Sequence, residues 1–170
     1  AEAIFVIGQN PGTNHPRMMS ALAAARARGA RIVSVNPLPE VGLERFKNPR
    51  DFLHPLKALP TLLGDGERLA DLWVQPRTGG DLALLKGLMK EMLEAEERAP
   101  GTVLDHAFIA EHTAGFAALT ADLRATPWDA ITAGSGVPRE VINDAARVAM
   151  ESRATICCWA MGLTQQPAAV

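Results

Sequence analysis

The chain has 170 residues, of which 48% are hydrophobic and 21% are charged, and its net charge at pH 7 is −2. This composition is typical of a soluble globular protein, and the length favours one well-filled domain. Two broad classes are excluded: no apolar run approaches the roughly 20 residues that cross a bilayer, and no basic cluster provides the surface that binds nucleic acid.

The two cysteines are adjacent, at Cys157 and Cys158, in the apolar run "ATICCWA". Such a pair favours reduced, buried thiols in a cytoplasmic protein over a disulfide framework. Neighbours on a strand point to opposite faces, so the pair is not arranged as a metal clamp. The chain opens almost directly on an apolar strand, has no starting methionine, and trails off after "GLTQQPAAV", which predicts that it is part of a longer protein.

Strands and helices alternate along the chain. Residues 3–8 predict a strand, "HPRMMSALAAARARG" predicts a helix capped by Gly29, and "RIVSVNP" predicts a second strand that Pro37 stops. Residues 36–65 contain five prolines and no sustained period, which predicts a long excursion over the surface.

The second half continues the alternation. Residues 69–75 predict a third strand, residues 100–126 predict two short helices broken near Gly115, "SGVPREVINDAARVAMES" predicts another helix, and "RATICCWAMG" predicts the last strand. The helix after the third strand is expected to carry a solvated cluster from Glu91 to Arg98 and one apolar stripe. The members of the stripe are Leu82, Leu85, Met89, Met92 and Leu93.

Apolar strands that alternate with helices predict an α/β fold. We expect a Rossmann-like three-layer domain, with a mainly parallel sheet and helices on both faces, over residues 1–170. In such a sheet, ligands bind beyond the carboxyl ends of the strands. The loops at these ends are therefore the candidate sites.

The first of these loops is "GQNPGTNHP", in which Gly8, Asn10, Gly12 and Asn14 all tolerate positive φ. Pro16 is placed to open the following helix, whose free N–H groups and positive dipole end suit a phosphate. The alternative is that these residues only make a tight turn between strand and helix.

An ordinary NAD site is disfavoured. The first loop lacks the G-x-G-x-x-G spacing, and the second strand ends in Asn36 and Pro37 rather than in the acidic residue that would hold a ribose hydroxyl.

Two further loops are rich in hydrogen-bonding groups. In "QPRTGGD", Thr78 and Asp81 have the spacing of a capping box, which stabilises a helix by about 1 kcal/mol without any ligand. The two glycines there favour a close approach to the backbone, and the Asp81 carboxylate suits the paired N–H donors on the edge of guanine. The third loop, "WAMGLTQQ", offers neutral donors and acceptors that suit a polar heterocycle.

Together these blocks resemble a known family. "GQNPGTNHPR", "VNPLPEVGLERF", "QPRTGGDLALLKG", "GSGVPREVI" and "WAMGLTQ" are similar, in the same order, to blocks of the molybdenum oxidoreductases of the dimethyl sulfoxide reductase superfamily. The strongest resemblance is to the formate dehydrogenase-like alpha subunits described as molybdopterin oxidoreductases, and it covers nearly the whole chain. It implies an internal fragment of a larger catalytic subunit that binds molybdopterin guanine dinucleotide and does not turn over by itself.

The resemblance also implies which residues meet the cofactor. The first loop would contact one pyranopterin dinucleotide, Asn36 would lie near its nucleoside, Asp81 would meet its guanine, and "MGLTQ" would reach back toward it. The full implied set is Gly8, Gln9, Asn10, Thr13, His15, Asn36, Gln75, Arg77, Thr78, Asp81, Met161, Gly162, Thr164 and Gln165. The implied parent carries molybdenum on a pair of these dinucleotides, and its partners are the remaining domains of the subunit and an electron-transfer partner.

The chain departs from the family in what it lacks. The family's molybdenum ligand and iron–sulfur cysteines lie upstream of the matching blocks, and Cys157 and Cys158 lack the spacing of cluster ligands, so no catalytic residue and no metal ligand is expected here. Gln166 stands where the family often has His. Two rival hypotheses stay open: a stand-alone nucleotide- or anion-binding module without redox chemistry, and a purely structural or interaction domain.

Overall fold

A computed structural model describes residues 1–166 of the chain. The chain divides into two compact units: Ala1–Gln75 joined by the segment from Ser152 onward, and Pro76–Glu151. The single cofactor-binding domain over residues 1–170 stays a prediction.

The first unit is built from short strands and helices around a sheet. In chain order they are β1 (Ala3–Ile7), α1 (Pro11–Asn14), α2 (Pro16–Ala27), β2 (Arg31–Val35), α3 (Val41–Glu44), a 3₁₀ turn (Pro49–Leu53), α4 (Ala58–Leu63), β3 (Leu72–Val74), β4 (Thr155–Trp159) and α10 (Met161–Thr164). The five helices between β3 and β4 belong to the second unit.

The sheet confirms the α/β prediction. Its strands lie in the order β3-β2-β1-β4, and all neighbouring pairs within residues 1–166 are parallel. The register aligns Ile4 with Ile32 of β2 and with Ile156 of β4. Because all strands point the same way, their carboxyl ends meet at one edge of the sheet.

The core of the first unit lies between the sheet and α2. Ile4 and Val6 of β1 and Ile32 of β2 cluster with Met19 and Leu22 of α2, and none of the five is more than 6% exposed. These side chains hold α2 against one face of the sheet, and so fix where the helix begins relative to the strand ends.

Both ends of α2 follow the sequence prediction. Pro16 is its first residue, and Gly29, just beyond its C-cap, has a φ of 92°, which places it in the left-handed region that favours glycine.

The second unit is helical. Its elements are α5 (Asp81–Arg98), α6 (His106–His112), α7 (Phe116–Ala125), α8 (Trp128–Ser135) and α9 (Arg139–Met150). The break predicted near Gly115 is confirmed, since this glycine, with a φ of 80°, is the N-cap of α7. The sequence pattern does not predict α8 as a separate helix; it follows Pro127 and ends at Gly136, whose φ is 73°.

The predicted faces of α5 need correction. Leu93 of the apolar stripe is buried as predicted, but Leu82 and Met89 are exposed, 48% and 36%, whereas Leu84 and Gly87, outside the stripe, are buried. Gly87 lets α8 and α9 approach: a Cβ there would lie 2.8 Å from Ile131 Cγ2. The helix therefore turns its glycine, rather than its methionines, toward its closest neighbours.

The cluster from Glu91 to Arg98 is not a solvated face. Glu91 and Glu96 are buried, 7% and 5% exposed. Glu91 pairs with Arg98 at 2.8 Å, and Glu96 accepts hydrogen bonds from the backbone that follows α5. Helical periodicity alone does not reveal the contacts of Glu96, because they depend on the loop beyond the helix.

Within residues 1–166, the cysteine pair is not buried as expected. Cys157 is exposed and Cys158 is half-buried, and both are free thiols. Partial burial raises the pKa of each thiol, so neither is an activated nucleophile. Among residues 1–166, no helix is both long enough and apolar enough to cross a membrane.

Candidate functional site

The candidate site in the first unit lies at the carboxyl edge of the sheet. Three segments leave the strands there: the first loop (residues 8–15, after β1), the second loop (residues 36–44, after β2) and the third loop (residues 160–166, after β4). Ligands bind at this edge in open parallel sheets, so contacts among the three loops describe the framework of a site.

The first loop is more ordered than the sequence indicates. Gly8 has a φ of 60° and donates its N–H to Val35 O at 2.8 Å, whereas no non-glycine residue among residues 1–166 has a positive φ. Asn10, with a φ of −112°, is instead the N-cap of α1, and its Oδ1 accepts the Thr13 N–H at 3.2 Å. The expected tight turn is thus a short helix held by a side-chain cap.

Asparagine side chains connect the first loop to the second. Asn36 is 5% exposed, and its Nδ2 donates to Gln9 O at 2.9 Å. Asn10 Nδ2 donates to a carboxylate oxygen of Glu40. The second loop is also held from the end of β3, because Gln75 Nε2 donates to Pro37 O at 3.4 Å. These bonds fix the backbone of both loops.

Pairs of glycines bring the loop backbones into direct contact. A Cβ on Gly12 would lie 3.1 Å from Gly42 Cα, and a Cβ on Gly42 would lie 3.0 Å from Gly12 Cα. A Cβ on Gly162 would lie only 2.4 Å from Gly8 O. A side chain at Gly162 would not fit without displacing the backbone, and one at Gly12 or Gly42 would be tightly crowded, so the glycines allow the first loop to touch both the second and the third.

The third loop begins with α10. Its polar side chains bond locally: Thr164 Oγ1 donates to Ala160 O at 3.3 Å, and Gln165 Nε2 lies 3.7 Å from Met161 Sδ. Met161 is 67% exposed. Residues 167–170, which follow the predicted "WAMGLTQQ" loop, lie outside the described residues.

One buried acceptor in the first loop has no partner within residues 1–166. Gln9 Oε1 is shielded from solvent and accepts no hydrogen bond there. Most buried side-chain acceptors in proteins accept a hydrogen bond. An acceptor without a partner at the carboxyl edge of the sheet therefore points to a donor that a ligand would supply.

An exposed cation, Arg17, lies at the start of α2. His15 is the N-cap but makes no side-chain capping bond, and Arg17, at the second position of the helix, is exposed without an ionic or hydrogen-bonding partner in the described part of the chain. A cation there opposes the helix dipole, which disfavours it by about 0.3–1 kcal/mol. A bound anion at the same position would instead interact favourably with the helix dipole and with Arg17.

A void of about 320 Å³ opens beside these loops. Asn10, Thr13 and Glu40 contribute its polar side chains, and the contacting pair Gly12 and Gly42 form part of its wall. Sequence reasoning assigns no role to Glu40, because it lies five residues beyond the last residue of β2 rather than on the strand. Only the fold of the second loop places it against Asn10.

The loop "PRTGGD" belongs to the second unit, where it packs against the end of α8. Arg77 N donates to Ser135 O at 2.8 Å, and a Cβ on Gly80 would lie 2.9 Å from that same oxygen. Gly80 does allow a close approach, as expected, but α8 accounts for it, and no atom lies within 4 Å of the position that a Cβ on Gly79 would occupy.

The predicted capping box does not form. Gly80, not Thr78, is the N-cap of α5, and Asp81 is its first residue rather than its third. The turn that precedes the helix is anchored on α8 through Arg77 N, and the Gly80 N–H donates to Arg77 O at 2.8 Å, so the helix begins beyond the threonine. Asp81 is buried at 7% exposure, and its carboxylate at the positive end of α5 is electrostatically favoured.

The structure thus groups the predicted site residues in two places. Those of the first unit, together at the carboxyl edge of the sheet, are Gly8, Gln9, Asn10, Thr13, His15, Asn36, Gln75, Met161, Gly162, Thr164 and Gln165. Those of the second unit, together at the start of α5, are Arg77, Thr78 and Asp81. Their contact with a cofactor stays a prediction.

Known proteins resemble the chain along its length. It is 45% identical over 170 residues to an uncharacterized oxidoreductase of Mycobacterium tuberculosis, a match that covers 100% of this chain and 21% of that protein. It is 24% identical over 164 residues to formate dehydrogenase H of Escherichia coli, covering 96% of this chain and 19% of that protein. No family model matches the chain.

A solved structure shares the fold. Acetylene hydratase from Pelobacter acetylenicus superposes with a TM-score of 0.66 at 21% identity, over 95% of this chain and 18% of that one. The chain spans about a fifth of the length of the curated relatives it matches, 21% for the mycobacterial oxidoreductase.

Proposed function

Because the chain belongs to the molybdopterin oxidoreductases that include the formate dehydrogenases, we propose that it forms the part of such an enzyme that holds one molybdopterin guanine dinucleotide. The supporting observation is the carboxyl edge of the sheet, where three loops meet backbone to backbone through paired glycines. We further propose that the parent is formate dehydrogenase-like and cytoplasmic, and that the chain does not turn over alone.

The residues at this edge fit such a group. A dinucleotide has a diphosphate, which suits the start of α2, where the exposed Arg17 and the side chain of His15 lie at the positive end of the helix dipole. It also has heterocyclic N–H groups, which suit the orphan Gln9 Oε1. The glycine contacts leave the loop backbone free of side chains, which lets a flat ligand approach N–H and C=O groups directly.

In this proposal the chain binds and orients, and it carries no reacting group. When bound, the molybdenum cofactor supplies the two-electron chemistry. Arg17 would neutralise part of the diphosphate charge, His15 would donate a hydrogen bond to it, and Asn36 holds the Gln9 backbone at the carboxyl edge of the sheet. From the family resemblance alone, we also propose that Asp81, at the start of α5 in the second unit, accepts paired N–H donors of a guanine.

The test uses the full-length protein that contains this chain, purified with its metal. Acid extraction followed by chromatography should release guanine nucleotide in roughly stoichiometric amount with molybdenum. Preparations that contain the metal but release no guanine nucleotide would overturn the proposal.

A pair of variants locates the site. Arg17→Ala should lower retention of the nucleotide about tenfold, since it removes a charge-assisted contact at the start of α2. Arg28→Ala is the matched control, because Arg28 is an exposed arginine at the opposite end of the same helix. Equal retention of the nucleotide in the two variants would mean that the start of α2 is not part of the site.

A second candidate is a nucleotide- or anion-binding module without redox chemistry, which the same cationic helix start favours. The two proposals differ in the metal. A full-length protein that retains guanine nucleotide but contains neither molybdenum nor tungsten would favour this second candidate.

A further inference from the structure

Strand β4 differs from its neighbour β1 in the exposure of paired residues. Ile4 is 6% exposed and its partner in register, Ile156, is 49% exposed; Ile7 is 5% exposed and its partner Trp159 is 55% exposed. Residues that lie side by side in one sheet are thus buried on β1 and open on β4.

Both faces of β4 are apolar. Ile156 and Cys158 lie on the face that packs against α2, where Cys158 touches the core cluster, and Cys157 and Trp159 lie on the opposite face. A strand that is apolar on both faces is typical of the interior of a parallel sheet, whereas an edge strand facing solvent usually has a polar face.

The open edge of β4 also lacks the features that protect natural edge strands. Its sequence, "TICCW", contains no charged residue and no proline, and its regular register with β1 shows no bulge. Within residues 1–166 its pairing partner is β1 alone. Its outer N–H and C=O groups therefore form a template for another strand.

We infer that β4 is an interior strand of a larger sheet, and that a further strand of the same full-length polypeptide, outside these 170 residues, pairs along its open edge. Backbone hydrogen-bonding groups select a strand as the occupant, in preference to a helix or a loop. The relatives are long enough to contain such a further strand, because the chain covers only 21% of the mycobacterial oxidoreductase. In the full-length protein, Ile156, Cys157 and Trp159 are covered.

Amide hydrogen exchange on the full-length protein tests this inference, and it does so whether or not a nucleotide is bound. If β4 is paired on both sides, all amides of residues 155–159 should exchange at least about 100-fold more slowly than in an open chain. Open-chain rates at alternate residues would identify a free edge and overturn the inference. Protection that appears only as protein concentration rises would assign the partner strand to a second copy, which also overturns it.

A substitution provides a second test. Lysine is common on exposed edge strands, so Ile156→Lys should be tolerated if the edge is free. With a strand and its covering layer in place, we expect this change to lower the denaturation midpoint of the full-length protein well below that of Phe108→Lys. Phe108, 56% exposed on α6, provides a matched starting exposure. Equal midpoints for the two variants would contradict an interior β4.

Discussion

Glu96 shows how much one side chain can organise. Its carboxylate, 5% exposed, accepts the N–H groups of Gly101 at 2.6 Å, Val103 at 2.9 Å and Leu104 at 3.0 Å. His106 Nε2 lies 2.7 Å from the same group. Together, the backbone N–H of Gly101 first and then His106 and the other amides lower the pKa of Glu96 to about 2.

This arrangement predicts a dependence on acid. Because the pKa of Glu96 in the folded protein lies below its ordinary value of 4.5, the stabilising effect of the carboxylate is complete above that pH and is lost as the pH falls toward about 2. Amide protection at residues 101–104 should fall over this interval. Glu96→Gln should remove the pH dependence and raise exchange at neutral pH roughly tenfold or more, because a charged acceptor is lost.

The neighbouring glutamate provides the control. Glu97 is exposed and forms a surface ion pair with Arg124 at 2.8 Å. Glu97→Gln should leave exchange at residues 101–104 unchanged, since surface pairs contribute little. If both variants behaved alike, the loop would not depend on the Glu96 carboxylate.

Gly162 provides a prediction for the candidate site. In Gly162→Ala, the new Cβ would meet Gly8 O at 2.4 Å, and overpacking of this kind typically destabilises by about 1–3 kcal/mol. The third loop must then move away from the first, so bound guanine nucleotide should also decrease. Both effects are measurable on the full-length protein, by denaturant titration and by acid extraction.

Gly29→Ala separates packing from backbone strain. Gly29 has a φ of 92°, but no atom lies within 4 Å of the position that a Cβ would occupy, so alanine there costs about 1 kcal/mol of strain without a clash. Its nucleotide content should stay at the wild-type level. A loss equal to that of Gly162→Ala would mean that general destabilisation, not loop displacement, releases the ligand.

At the scale of elements, α5 depends on close packing at Gly87. Alanine would improve helix propensity by about 1 kcal/mol, but its Cβ would lie 2.8 Å from Ile131 Cγ2 of α8. We expect Gly87→Ala to be net destabilising. Combined with Ile131→Ala, which removes the opposing methyl, it should show a coupling energy of about 0.5–3 kcal/mol by denaturant unfolding. Simple additivity would show that the two positions do not interact.

The elements also show where sequence reasoning succeeds and fails. Apolar runs such as residues 3–7 and the cap at Gly29 depend on local chemistry, and both are predictable. The predicted start of α5 is wrong because the turn before it is anchored on α8, where Arg77 N donates to Ser135 O. Its predicted buried face is only partly right because Gly87, which has no apolar side chain, is the residue closest to Ile131 of α8. Both errors come from contacts with distant helices, which periodicity cannot detect.

At the scale of the whole molecule, the family and the α/β fold are recognisable from short blocks of sequence, and both are confirmed. The assembly of the site is less predictable. The sequence identifies the first loop but not Glu40 or Arg17, because their relevance depends on how the second loop and α2 are placed. The sequence predicts a buried β4, because the composition of this strand is that of an interior strand. In the structure of residues 1–166, the strand is mostly exposed.

The glycine contacts between Gly12 and Gly42 and between Gly8 and Gly162 affect how the sequence of such a site can evolve. Together with the hydrogen bonds of Asn10 and Asn36, they set the spacing of the loops without using the side chains of Gln9 or Thr13. Residues such as Gln9 and Thr13 can therefore be exchanged without moving the loops that carry them. The same scaffold is then open to directed evolution of ligand preference, in which libraries vary the neighbours and leave the four glycines untouched.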